Sequence, residues 1–195
     1  MLLIALVLWL AGAADPTTPK PLIDNPRVTV WDVPSAAALP GDPARDRVVI
    51  SLEPEAVAGR VLFRPRGAAR SAQSTAGATR LVVIELKDTP VPPLKNASGY
   101  PNAFPREGSK KIVDNERVLV WDFSWTSGQP TRMHFHDKDV VVVYLQTGDL
   151  KSTTPAGDVV VNHYAAGTIK FNPRDRVHTE LLVAGAQRAI ITELK

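Results

Sequence analysis

Not one cysteine occurs in the 195-residue chain. That absence excludes a disulfide framework, a thiolate-held iron–sulfur cluster, a cysteine-ligated zinc site, a cysteine nucleophile and a lipid-modified amino-terminal cysteine. A surplus of one charge is nearly absent too, since 23 Lys and Arg face 20 Asp and Glu for a net of +3. With neither a basic stripe nor interleaved aromatics, nucleic acid is not an expected partner. No G-x-S-x-G elbow supports a hydrolase triad, and no G-x-G-x-x-G or phosphate loop supports nucleotide chemistry. Beyond the first ten residues, no window long enough for a helix keeps a 3.6-residue period. What is present, 44% apolar and 22% charged residues, is an ordinary globular composition. A chain of this length buries roughly 70% of its unfolded surface and folds without covalent staples.

Residues 1–10 are wholly apolar and are followed by Ala11-Gly12-Ala13-Ala14-Asp15. This pattern predicts a signal peptide over residues 1–14, cut near Ala13 or Ala14, and hence export to a periplasm or the medium. The apolar run falls short of the roughly 20 residues a bilayer span needs, so no membrane partner is expected after cleavage.

The chain repeats itself. Asp24-Asn25-Pro26-Arg27-Val28-Thr29-Val30-Trp31-Asp32 returns 90 residues later as Asp114-Asn115-Glu116-Arg117-Val118-Leu119-Val120-Trp121-Asp122, with seven of nine positions identical. Chance would match about one position in fifteen. Two further stretches, Gly59–Arg66 and Ala78–Lys87, return 108 residues later as Gly167–Arg174 and Ala186–Lys195. The first copy is therefore shorter in its middle. The division is residues 22–88 for a degenerate first repeat, 89–110 for a proline-rich linker and 111–195 for the second repeat. Within each copy, short Val-, Ile- and aromatic-rich runs alternate with Gly, Pro, Asn and Asp turns, which predicts an all-β sandwich or barrel.

All four histidines, His134, His136, His163 and His178, lie in the second copy. His134 and His136 are two apart, so a strand points both imidazoles from one face. Neutral imidazoles placed so can each reach within about 2.0–2.1 Å of a divalent cation. His178 opens a later strand-like run that a barrel can lay beside the first. His163, just before a loop, is expected to be exposed or hydrogen-bonded. Trp121, Phe123 and Trp125 alternate and are expected in the core.

The spacing resembles the cupin superfamily, whose motifs are G-x5-H-x-H-x3–4-E-x6-G and G-x5-P-x-G-x2-H-x3-N. Gly128, His134, His136 and Gly148 match the first, and Gly167, Pro173 and His178 match the second. The resemblance implies two tandem jelly-roll barrels, the first degenerate, with His134, His136 and His178 converging on one metal, Fe, Mn, Ni or Zn. Three departures stand out: Val141 at the expected metal-binding Glu, Asp175 at the second-motif Gly and Leu182 at its Asn. Three-histidine cupins such as the thiol dioxygenases hold iron without that carboxylate. Asp139 and Glu180, each two positions from a motif residue along a strand, are candidates to stand behind the ligands or to replace the missing Glu, displaced by about 6.6 Å. Asp114–Val118, His134–Val142 and Glu193–Lys195 are also similar to a group of small cupins associated with beta-alanine degradation.

The first copy has no histidine, and Arg70 stands where the second has His178. Arginine has no lone pair for a cation, so this copy is expected to cover a face or edge of the second barrel. Its rival role is a small-anion site at Arg64, Arg66 and Arg70. The residues name no catalytic group. The expected partner is a small-molecule substrate or ligand, and a sheet-edge homodimer is the default assembly. Two functions follow: a metal-dependent oxygenase or isomerase acting on a small polar substrate, or a ligand-binding or structural cupin without turnover.

Overall fold

A computed structural model describes residues 19–68 and 77–195. The leader read over residues 1–14 and the Arg70 candidate lie outside them. The described chain is all-β apart from a 3-10 turn at Glu55–Val57. The first repeat supplies β1 (Ile23–Asp24), β2 (Val28–Pro34), β3 (Arg47–Glu53), β4 (Val61–Arg64) and β5 (Arg80–Leu86). The second supplies β6 (Lys110–Asp114), β7 (Val118–Trp125), β8 (His134–His136), β9 (Asp139–Tyr144), β10 (Gly148–Thr153), β11 (Val159–Tyr164), β12 (Ile169–Asn172), β13 (Arg176–Gly185) and β14 (Gln187–Leu194).

The repeat seen in the sequence is a repeat of topology. The first sheet runs β1-β2-β5-β3-β4, and the second repeat contains its counterpart in the same spatial order, β6-β7-β14-β9-β12. The second repeat also folds a four-stranded sheet, β11-β10-β13-β8. Its two sheets close a jelly-roll barrel around Trp121, Phe123, Trp125, Val142, Tyr144, Leu150, Leu182 and Ile191. The first repeat has no such second layer among the described residues; that is the form its degeneracy takes. Its corresponding face, Trp31, Val33, Val49, Leu81 and Val83, is covered by Leu39 and Ala78 instead.

Strand alternation builds two cores at once. In β7, Val118 and Val120 point to one side while Trp121, Phe123 and Trp125 point into the barrel. The outward residues of β7, β9 and β14 meet Val28, Val30, Val48, Ile50, Val82 and Ile84 of the first sheet. The two equivalent sheets thus pack face to face. Side chains of this kind contribute about 1.5–3 kcal/mol each on full burial, so exposing either face to water is costly.

Polar contacts across this interface are reciprocal. Arg27 donates to the Lys195 carbonyl at 3.0 Å, and its counterpart Arg117 donates to the Lys87 carbonyl at 3.1 Å. Arg27 pairs with Asp139 at 3.4 Å, and Arg117 with Asp46 at 3.6 Å. Asp46 accepts the Arg66 amide at 2.8 Å, as Asp139 accepts the Arg174 amide at 2.9 Å. This exchange of like contacts is the mark of a two-fold interface, here made by two halves of one chain. Arg64 is half-buried in β4 and Arg66 is tied to Asp46 and Asp88, so Arg66 is already engaged with carboxylates.

The stretch between the repeats is more than a tether. Phe135 donates its amide to Pro101, Ala103 donates its amide to Phe135, and Ala103 and Phe104 are buried in the barrel core. Residues 101–106 therefore form part of the wall beside β8.

Candidate metal centre

β8 is only His134-Phe135-His136, and all three residues are buried. It pairs antiparallel with β13, which sets His178 directly opposite His134 and Arg176 opposite His136. Both histidines of β8 share the pleat's inner face, and His178 projects to the same side from its neighbour. The three rings form a near-equilateral triangle, with centroids 4.8–5.0 Å apart. One nitrogen of each ring lies within 4.8 Å of the other two, and among the described residues this is the one such cluster of metal-binding side chains.

The ring orientations are fixed from behind. Nδ1 of His134 lies 2.8 Å from the Arg132 carbonyl. A carbonyl only accepts, so this nitrogen carries the proton and Nε2 keeps its lone pair. Ser152 Oγ stands 3.0 Å from Nδ1 of His178. That leaves Nε2 of His178 3.0 Å from Nε2 of His136. Two nitrogens each about 2.0–2.1 Å from one cation and at right angles around it sit about 2.9 Å apart, so the observed spacing fits a shared ion. Nδ1 of His136 is buried and makes no hydrogen bond.

Burial also holds the imidazoles in the ligand form. It pushes His134 down to about 4, with Arg106 adding to the effect. His136 and His178 are lowered as well, again chiefly by burial. A divalent cation therefore meets three neutral imidazoles at ordinary pH without displacing protons.

Glu180 stands behind this group. It follows His178 by two residues on β13, accepts the Trp125 indole N–H at 3.2 Å, and lies 3.5 Å from Arg106 Nη1. Burial works to raise its carboxyl, but Arg106 and the other neighbours outweigh that and hold it below its usual value. Asp139 is placed elsewhere. Its carboxylate turns to Arg27 and the Arg174 amide at the sheet interface, and it makes no hydrogen bond or ion pair with a histidine. Val141, the position counted for the missing Glu, shares that outward face, whereas Val140 lines the small cavity beside His136 and His178. His163 lies apart, exposed, with Nδ1 2.6 Å from Asp149.

Two spaces adjoin the cluster. An inner cavity of about 30 Å³ is bounded by Val140, Tyr144, Arg176, His136, His178 and Glu180. A cavity of that size holds an ion or a water molecule. An outer chamber of about 630 Å³ is lined by His134, Arg106, Phe123, Trp125 and Thr131 among others. Arg106 and Trp125 border both. Sequence reasoning missed Arg106, Ser152 and Arg176. Arg106 sits among prolines with no motif around it; only the buried aromatic neighbour Phe104 hints that this stretch packs inward.

No protein-family model matches the chain. Over 61 residues it is 41% identical to the beta-alanine degradation protein BauB of Pseudomonas aeruginosa, a match covering 31% of this chain and 60% of that protein. A cupin domain from Bordetella pertussis is similar over 51% of this chain and 99% of its own, at 28% identity and a TM-score of 0.41. A cupin 2 conserved barrel domain protein from Leptotrichia buccalis is similar over 95% of this chain and 93% of its own, at 13% identity and a TM-score of 0.49.

Proposed function

We propose that this chain is a bicupin with one working site, in which His134, His136 and His178 hold one divalent cation and the loaded barrel acts on a small polar molecule as an oxygenase or isomerase. The observation that carries the reading is the convergence of three neutral imidazoles, two of them buried and that of His178 half-buried, on one point. An all-imidazole set suits Zn, Fe or Ni, and no carboxylate joins the cluster to draw the choice toward Mn. Such an ion, when bound, supplies Lewis-acid or oxygen-activating chemistry.

The chain's own residues prepare the site. The Arg132 carbonyl and Ser152 hold two rings in orientation, contacts of a kind that changes metal affinity 10–100-fold. Trp125 keeps Glu180 aimed at the space between Arg106 and the histidines. Phe104, Phe123, Trp125 and Tyr144 wall the interior against water. A small polar substrate is supported by the size and lining of the outer chamber. It is also supported by the name of the Pseudomonas relative, which places that protein in the breakdown of a small amino acid.

Elemental analysis of the reconstituted protein tests the reading. The expected result is close to one metal per chain, lost in His134→Ala and in His178→Ala and retained in Asp139→Asn, whose carboxylate serves the sheet interface. No metal uptake by the unaltered protein overturns it. Oxygen-uptake screening of the iron-loaded protein with small thiols, diketones and aromatic diols then separates an enzyme from a binding module. We also propose export, on the residue pattern of the first 14 positions; the intact mass of the same purified protein is expected to lack them, and their retention counts against export.

A further inference from the structure

Arg106 is the most unusual side chain in the barrel. Its guanidinium lies 4.0 Å from the Phe123 ring centroid, 4.5 Å from that of Phe104 and 5.7 Å from that of Trp125. This aromatic box holds the planar group in place and strips it of water. Its hydrogen bonding does not match that burial. Nη1 reaches Glu180 at 3.5 Å and His134 Nε2 at 3.4 Å, both at the long limit, and the buried Nε has no partner. A buried guanidinium carries five donors and costs free energy for each left unused.

The charge balance points the same way. Arg106 and Arg176 both border the inner cavity, and Glu180 is the carboxylate beside them. Glu193, the next carboxyl, is hydrogen-bonded to Trp121 and raised by burial. Three neutral imidazoles add no negative charge to offset a divalent ion. Loaded, the site keeps a positive surplus even with Glu193 ionised, in surroundings where uncompensated charge is expensive. An anion entering from the outer chamber meets Arg106 at the boundary, next to His134.

We infer that the ligand of this site carries a carboxylate, and that Arg106 is the specificity-determining residue that binds it beside the metal. The fork of a guanidinium matches the planar two-oxygen geometry of a carboxylate. Glu180, held by Trp125, keeps the guanidinium turned toward the histidines while leaving donors free. This inference rests on the metal reading for the position of the ligand, but the carboxylate preference stands on Arg106 itself.

The test uses the Co(II)-loaded full chain, its metal content measured, with visible absorption followed as propionate, propionamide or inorganic phosphate is added. Propionate is expected to perturb the spectrum to saturation and propionamide to leave it unchanged. Arg106→Met is expected to weaken propionate at least tenfold with metal content unaltered, and Arg106→Lys, which keeps charge but loses the fork, to fall between. If the Met variant does not fold, the Lys variant carries the comparison. Equal propionate affinity with and without Arg106, equal binding of propionamide, or preference for phosphate overturns the inference. A chain that takes up no cobalt overturns the metal reading instead; calorimetric titration of the metal-free protein with the same probes then judges Arg106 by the same criterion.

Discussion

His134 shows how burial sets both ligand chemistry and stability. In the unfolded chain its pKa is about 6.5, and in the metal-free fold burial lowers it to about 4. A lowered folded value means that the unfolded state takes up the proton first as acid is added. The stability this group contributes is therefore present above about pH 6.5 and is lost as the pH falls toward 4. At pH 5 the loss from one such histidine is about 2 kcal/mol. Urea unfolding of the metal-free protein at pH 7.5 and pH 5 is expected to show a larger drop for the parent than for His134→Gln; equal drops would refute the assignment. The histidines themselves were legible in the sequence, because a spacing of two fixes a shared strand face. Asp139 was not, because that same spacing cannot say whether the face looks into the barrel or toward the other repeat. Arg106 was illegible for a different reason: a single arginine following Pro105 carries no periodicity, and only tertiary packing makes it part of the site.

Among the elements, β10 opens on a backbone constraint at its first residue, where it meets the end of β13. A Cβ at Gly148 would lie 2.8 Å from the Ala186 carbonyl oxygen and 3.0 Å from that of Ala184, so the glycine is required by close approach of two backbones. Gly148→Ala is expected to destabilise the protein by about 1–3 kcal/mol, read as a lower urea midpoint at unchanged slope; an unchanged midpoint would show that the strands slide apart at no cost. The second-motif glycine tells the opposite story. Asp175 occupies its place and adopts the left-handed backbone with φ 65°, its amide donating to the His136 carbonyl at 2.8 Å. The turn survives the substitution because aspartate is among the few residues that tolerate this conformation. Strand existence and the repeat were readable from alternation and offset. The second layer absent among the described residues of the first copy was readable only as a shortened middle, since length alone does not say which strands a deletion removes.

For the whole molecule, the packing of one repeat on the other decides how it unfolds. Ile84 is fully buried on the first sheet among residues of both repeats. Ile84→Ala is expected to cost about 2–5 kcal/mol, with Trp31, Trp121 and Trp125 losing their native fluorescence in one shared transition. Two separate transitions would mean that the repeats fold independently. The reciprocal pairing of Arg27 with Asp139 and of Arg117 with Asp46 gives this contact the form of a subunit interface, yet both sides are tethered in one polypeptide. An association between separate chains weakens as protein concentration falls. Here the partner surface is covalently supplied, so dilution cannot strip the covering sheet from the barrel.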